Sequence, residues 1–240
     1  MSTILITGAS RGIGRAIALA CAASGKYNKI ILNGGHDAAA LEETSRLVSA
    51  AGDLLCVSAL GDAGDLAFVQ DMRRRFGPAD TIVNNAGISR TGLLTDMPAA
   101  EWDEVIRTNL TSLYNVCHTY VPDMVRNQSG RILNISSVWG QAGASCEVAY
   151  SAAKGAVDAF TRALAKELAP SRIPVNALAP GMVNTRMNSR LTEKETAEIR
   201  DQIPAGYIVS PEETAQAVLR LLEMPEYFTG EIVKFDGGWI

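Results

Sequence analysis

Seven short apolar runs separated by segments of helical periodicity set what this chain can fold into. The runs are residues 3–7 (TILIT), 29–33 (KIILN), 54–59, 81–87 (TIVNNAG), 130–136, 173–181 (IPVNALAPG) and 230–238 (GEIVKFDGG). Each reads as a strand, and the segments between them read as helices. Strands joined through helices need crossovers. Crossovers give a parallel sheet with helices on both faces, an α/β doubly wound fold. Such sheets bind ligands beyond the carboxyl ends of their strands. Gly8 to Gly14, residues 84–87, Ser137 and Pro180-Gly181 all fall at those ends, which points to one composite site.

The first strand runs into TGASRGIG, and an Ala-rich helix follows to about Ser24. Gly8, Gly12 and Gly14 let the turn close and let backbone N–H groups approach a pyrophosphate at the helix N-terminus. The spacing GxxxGxG is a variant of the dinucleotide fingerprint. The second strand ends Asn33-Gly34-Gly35-His36, with no acid before Asp37. An acid at that point holds the adenosine ribose of NAD, whereas a nearby Arg suits the 2′-phosphate of NADP. Arg11 can face the same pocket, so NADPH is the expected cofactor.

Tyr150 and Lys154 lie four apart in AYSAAKGAVDAFTRALAKEL, and a helix puts both on one face. A free phenol has a pKa of about 10, and a nearby cation lowers it towards the range useful for acid–base work. Ser137 follows the strand RILNIS and can lean over the same point. Asn84, Asn85 and Gly87 at a strand end suit backbone bracing and close contact with a cofactor. Asn109 sits inside a long helical pattern from Glu101 to Arg126, a weakly unfavourable place for Asn and by itself more often a surface one. Residues 182–206 read as a short helical flap, and a capped helix is expected near Ser210-Pro211-Glu212.

The 240 residues are 47% hydrophobic and 20% charged, which suits one domain spanning 1–240. The net charge of −4 comes with no basic patch for nucleic acid. No apolar run approaches a membrane span, and a first strand at Thr3 leaves no room for a signal peptide. A cytoplasmic location is the expectation. Cys21, Cys56 and Cys117 read as buried thiols. Cys146 lies in the loop before Tyr150 without a base, since His36 and His118 belong to no chemical motif. No metal site is expected.

TGASRGIG, NNAG, Asn109 in RTNLTS, Ser137, YSAAK and APG, in this order, resemble the short-chain dehydrogenase/reductase family over essentially the whole chain. VNNAGISR, IPAG and the TGE-to-DGG ending look most like its 3-oxoacyl-[acyl-carrier-protein] reductases. The resemblance implies a Rossmann-like fold and reduction of a 3-oxoacyl substrate, presented on a carrier protein, by NADP(H). It implies Tyr150 as general acid, Lys154 lowering its pKa and holding the nicotinamide ribose, Ser137 on the carbonyl oxygen, and Asn109 fixing a relay water. The implied cofactor contacts begin with Gly8, Ser10, Arg11, Gly12, Ile13, Gly14 and Asn33. They continue with Asn85, Ala86, Gly87, Tyr150, Lys154, Pro180, Gly181, Val183 and Thr185. Ser58 and Asp62 are the alternatives for an adenine contact. Gln128 stands where carrier-protein reductases tend to be basic, with Arg126 and Arg172 near it.

The loop WGQAGASCEVAY resembles a subgroup described as elongation factor P 5-aminopentanone reductases, which reduce a ketone on a lysine-linked modification. Trp139, Gln141, Glu147 and Met187 are the expected substrate-pocket residues. Glu147 would suit a substrate amine or a hydrogen-bonding headgroup, or be a loop carboxylate tied to the protein. A non-catalytic dinucleotide sensor is the alternative from another class, and the presence of Ser137, Tyr150 and Lys154 argues against it. The resemblance also implies a homotetramer, with an apolar stripe of Val157, Phe160 and Leu164 at the dimer face.

Overall fold

The computed structural model describes residues 2–189 and 191–240. Seven strands form one parallel sheet: β1 (Thr3–Ile6), β2 (Lys29–Gly34), β3 (Leu55–Leu60), β4 (Thr81–Asn84), β5 (Arg131–Ile135), β6 (Val175–Pro180) and β7 (Ile232–Phe235). Their order is β3-β2-β1-β4-β5-β6-β7. The order reverses between β1 and β4, the switch point at which such sheets open a ligand crevice.

Alternate residues of the buried strands feed two layers, because side chains on a strand point to opposite faces. Ile4 and Ile6 pack with α1 (Gly12–Ala23), α2 (Ala38–Ala51) and α9 (Pro211–Leu222). Leu5, Ile31 and Ile82 pack with α3 (Leu66–Phe76), α5 (Ser112–Asn127) and α7 (Val148–Leu168). Both faces of the sheet are thereby covered, as a doubly wound fold requires.

The capped helix near Ser210 is present. The Ser210 hydroxyl accepts from Glu213 N, and the Glu213 carboxylate accepts from Ser210 N. The 182–206 flap contains α8 (Glu193–Gln202), which Thr192 and Glu195 start in the same way. Position 190 in that flap lies outside the described residues. Among the described residues no helix is long and apolar enough to cross a membrane.

The long helix expected from Glu101 to Arg126 is not continuous. It is α4 (Ala99–Ile106), a wide π turn at Arg107–Thr111, and α5. Asn109 explains the break. Its side-chain Nδ2 donates to Val105 O at 2.8 Å, the carbonyl four residues back that the helical ladder would use. The same amide donates to Ile88 O at 2.8 Å. Asn109 is buried, not on the surface. Val157, placed in the expected dimer stripe, is also buried, inside the core beneath α7, whereas Phe160 and Leu164 stay half-exposed.

The short helix α6 (Trp139–Ala142) is pressed onto α7 through glycine. A Cβ at Gly140 would lie 2.7 Å from Lys154 C and 2.9 Å from Gly155 N, both backbone atoms that cannot swing away. Gly140→Ala is expected to destabilise the protein by about 1–3 kcal/mol, the usual cost of overpacking. Urea unfolding should show a lower midpoint with an unchanged slope.

Candidate active site

At the switch point the loop after β4 is tied to the loop after β1. Thr7 Oγ1 accepts from the backbone N of Asn85 and of Ala86, each at 3.0 Å. Asn85 Nδ2 donates to Thr7 O at 2.9 Å and Gly8 O at 3.1 Å. The amide side chain is therefore spent on bracing. Gly14 is needed for this closeness, since a Cβ there would lie 2.3 Å from Gly8 O. Gly12 takes φ +54 and faces the Thr185 methyl of the flap.

Helix α1 starts at Gly12 with no side-chain cap among the described residues, while Asp37, Asp65, Thr192 and Ser210 cap α2, α3, α8 and α9. Its first N–H groups and the positive end of its dipole suit an anion. Ser10 Oγ beside this turn is buried with no hydrogen-bond partner among the described residues. It sits where a Cβ on Gly34 would fall, at 2.2 Å, so Gly34 makes room for it.

Three expectations for the adenosine end change. Asn33 is buried, and its Nδ2 donates to Ala59 O at 3.2 Å and Gly61 O at 3.0 Å. It sews β2 to β3 and is not turned to the crevice as a cofactor contact. Arg11 is ion-paired with Asp37, so an acid does stand beside the end of β2. Of the two adenine candidates, Asp62 lies past the end of β3 and pairs with Arg107, whereas exposed Ser58 lines a groove against α2.

Tyr150, Lys154, Ser137 and Asn109 converge beyond β4 and β5. Val105, Ala149 and Ala153 pack together and dock α4 on the start of α7, which carries Tyr150 and Lys154. Lys154 is buried, with Nζ donating to Ile135 O at 2.7 Å and lying 5.6 Å from the Tyr150 ring centre. A Cβ on Gly87 would be 2.7 Å from Asn109 Oδ1 and 3.5 Å from Lys154 Nζ, so Gly87 keeps the space between them open. Asn109 Oδ1 is buried with no hydrogen-bond partner among the described residues. Beneath this cluster, Asn84 donates to Asn134, and Asn134 donates to Thr161, in a buried chain that fixes the two strand ends.

Burial pushes the Tyr150 phenol up to about 12; a hydrogen bond with Ser137 pulls it back and the Glu147 carboxylate raises it further. The net direction for this phenol within the chain is upward. Burial brings Lys154 down to about 8, and Asp158 opposes that shift. The ammonium is charged below about pH 8 and is lost above it.

The substrate-pocket candidates divide. Glu147 precedes α7 and accepts from the hydroxyls of Ser89 and Thr91, each at 3.1 Å. Trp139 meets Trp239 edge to face, with centroids 5.0 Å apart. Met187 lies exposed on the flap. Gln141 is exposed on α6, and its side chain helps to lower the pKa of the Asp158 carboxyl on α7. Val183 is buried and bridges Val209, and Gly181 lies against Asp236 and Trp239. Sequence reasoning missed Asp158 and Trp239. Asp158 carried a signal, being four residues past Lys154 and eight past Tyr150. Trp239 carried none, because its contact depends on the tertiary fold.

The family model for short chain dehydrogenases matches residues 2–196. The chain belongs to the short chain dehydrogenase family. Within the family it is similar to the uncharacterized oxidoreductase YmfI of Bacillus subtilis (strain 168), 43% identical over 241 residues, 99% of this chain and 98% of the relative. It is also similar to the 3-oxoacyl-[acyl-carrier-protein] reductase FabG of Chlamydia trachomatis serovar D, 40% identical over 244 residues, 98% and 96% of the two chains. A crystal structure of a 3-oxoacyl-[acyl-carrier protein] reductase with bound NAD from Brucella melitensis superposes with TM-score 0.92 at 32% identity, over 100% of this chain and 91% of that one. This short chain dehydrogenase is therefore an oxidoreductase similar to 3-oxoacyl carrier-protein reductases, and its family uses a nicotinamide dinucleotide.

Proposed function

We propose that this short chain dehydrogenase reduces a ketone to a secondary alcohol with NADPH, residues 1–240 acting as one dinucleotide-binding and catalytic domain. The observation that carries the reading is the meeting of Tyr150, Lys154, Ser137 and Asn109 at the ends of β4 and β5. The residues present fit the cofactor: a helix start with no side-chain cap and a Ser10 hydroxyl with no partner among the described residues, and a left-handed Gly12, favour phosphates. Gly8, Ser10, Arg11, Gly12, Ile13 and Gly14 would hold its phosphates. Ala86, Gly87, Tyr150 and Lys154 would hold its nicotinamide half, and Pro180, Gly181, Val183 and Thr185 would close over it. When bound, the reduced nicotinamide supplies the hydride that the carbonyl carbon receives.

The chain's own residues do the rest. Tyr150 keeps its proton across the neutral range and donates it to the carbonyl oxygen. Ser137 hydrogen-bonds that oxygen as negative charge develops on it. Lys154 keeps positive charge beside the phenol. Asn109 Oδ1, open towards Lys154 across Gly87, holds the route by which protons return. NADPH over NADH is supported by Ser10 and by the open space at Gly35, where an added Cβ would touch nothing within 4 Å, and it requires Arg11 to exchange its Asp37 partner for the 2′-phosphate. Half-exposed Phe160 and Leu164 and exposed Tyr114 support a homotetramer.

For the substrate, the carrier-protein reductases among the relatives favour a 3-oxoacyl thioester. Glu147 favours a second reading, an amino-ketone such as the 5-aminopentanone on elongation factor P. Its carboxylate is close enough to Tyr150 to raise the phenol's pKa, an awkward neighbour for an acyl chain and a suitable one for an amine. Arg126 and Arg172, named above beside Gln128 for an acidic carrier protein, are paired with Asp123 and Glu226.

Tyr150→Phe is expected to lower kcat at least a hundredfold while NADPH binding persists, because only the proton donor is lost. Activity within about threefold of wild type would remove Tyr150 as the acid. Arg11→Ala should weaken NADPH and leave NADH nearly unchanged in a fluorescence titration. Equal loss for both would show that Arg11 does not read the 2′-phosphate. NADPH oxidation with acetoacetyl-CoA against small amino-ketones separates the two substrate readings. On the second, Glu147→Gln raises KM for the amino-ketones alone, the pattern of lost ground-state binding. A uniform drop for both substrates would instead place Glu147 in loop structure.

A further inference from the structure

One face of α7 reads three consecutive residues at the end of β5. Tyr150 hydrogen-bonds with Ser137. Lys154 Nζ takes the carbonyl of Ile135. Asp158 accepts from the hydroxyl of Ser136. The three helix residues are spaced four apart, so they form one stripe. Asp158 is 3% exposed, and Asn109, Ser137 and Lys154 are buried with it. A carboxylate is costly to bury, so it calls for partners and for a reason. The groups that act on it are Ser136 just past β5, Gln141 on α6, and Lys154 and Arg162 on α7 itself. Lys154 in turn is faced by Tyr150 and Asp158 on its own helix, Ile135 O on β5 and Asn109 on the wide turn.

We propose that Asp158 is a positioning residue of the active site, tethering Ser136 so that Ser137 stays against Tyr150 and supplying the negative charge that keeps the buried Lys154 ammonium charged. This rests on the roles given above to Tyr150 and Lys154. The geometry supports both halves. Ser136 is adjacent to Ser137 in the chain, so a fixed Ser136 side chain leaves Ser137 little freedom. Asp158 lies one helical turn beyond Lys154, close enough for charge to act through a poorly solvated interior. Burial is the largest influence and leaves the Asp158 carboxyl raised, while Ser136, Arg162, Lys154 and Gln141 each act against that rise. The sign follows directly. Without the carboxylate, Lys154 is easier to deprotonate, and its charge is lost at lower pH.

Two variants separate the charge from the tether. Asp158→Asn keeps an oxygen for Ser136 and removes the charge. Ser136→Ala keeps the charge and removes the tether. The 15N-lysine NMR titration of Lys154 in the protein without cofactor reads the charge independently of turnover. Asp158→Asn is expected to move that titration, and with it the alkaline limb of kcat/KM, about one pH unit towards acid. Ser136→Ala is expected to leave both in place and to lower kcat about tenfold with KM unchanged. A Lys154 titration that stays put in Asp158→Asn overturns the electrostatic role. A wild-type kcat in Ser136→Ala overturns the tether. Should Asp158→Asn not fold, Asp158→Ser takes its place in the titration with the same criterion. Failure of the underlying reading looks different: Tyr150→Phe would stay active whatever Asp158 does.

Discussion

The structure around the site answers to a single buried ammonium. Lys154 is brought under the sheet's carboxyl edge by α7, and burial, opposed by Asp158, pulls its pKa down to about 8. A charge in that position is tolerated only with oxygen around it. The Ile135 carbonyl supplies one at 2.7 Å, Asp158 supplies opposite charge, and Asn109 Oδ1 faces the same space. Gly87 leaves that space unfilled, and Gly140 lets α6 settle on the backbone of Lys154 itself. Much of the glycine and amide pattern is thus a set of accommodations to one cation.

The sheet carries those parts to one place. Parallel pairing puts Asn84 opposite Asn134, and Asn134 opposite Ala177. The residues that follow each strand then leave from the same edge. Bracing by Thr7 and Asn85 fixes the first of these loops to the next, and the hydrogen-bonded chain from Asn84 through Asn134 to Thr161 fixes the floor. Buried amides in such numbers rigidify a site because each has few ways to be satisfied.

What was legible in the sequence was whatever rests on local pattern. Apolar runs fixed the seven strands, glycine spacing fixed the turn before α1, and a four-residue interval fixed Tyr150 with Lys154. What was not legible depends on which side chain another element offers. Asn33 looked like a ligand contact because of where it lies, but the carbonyls of Ala59 and Gly61 lie within its reach. Arg11 looked available for a phosphate until α2 delivered Asp37 beside it. The burial that raises the Tyr150 phenol and lowers the Lys154 ammonium was not legible either, because the sequence carries no measure of it.

The wide turn at Asn109 also sets the relative phase of two helices. Each residue of an α-helix advances the side chain by about 100°, so one residue more or fewer rotates everything beyond it by that angle. Val105 before the turn packs on α7, whereas Leu113, Val116 and Tyr120 after it pack on the sheet. A regular helix through this segment would swing one of these sets out of register. Single-residue insertions and deletions, usually harmless in loops, are therefore excluded here, and the length of this segment is as tightly constrained as its composition.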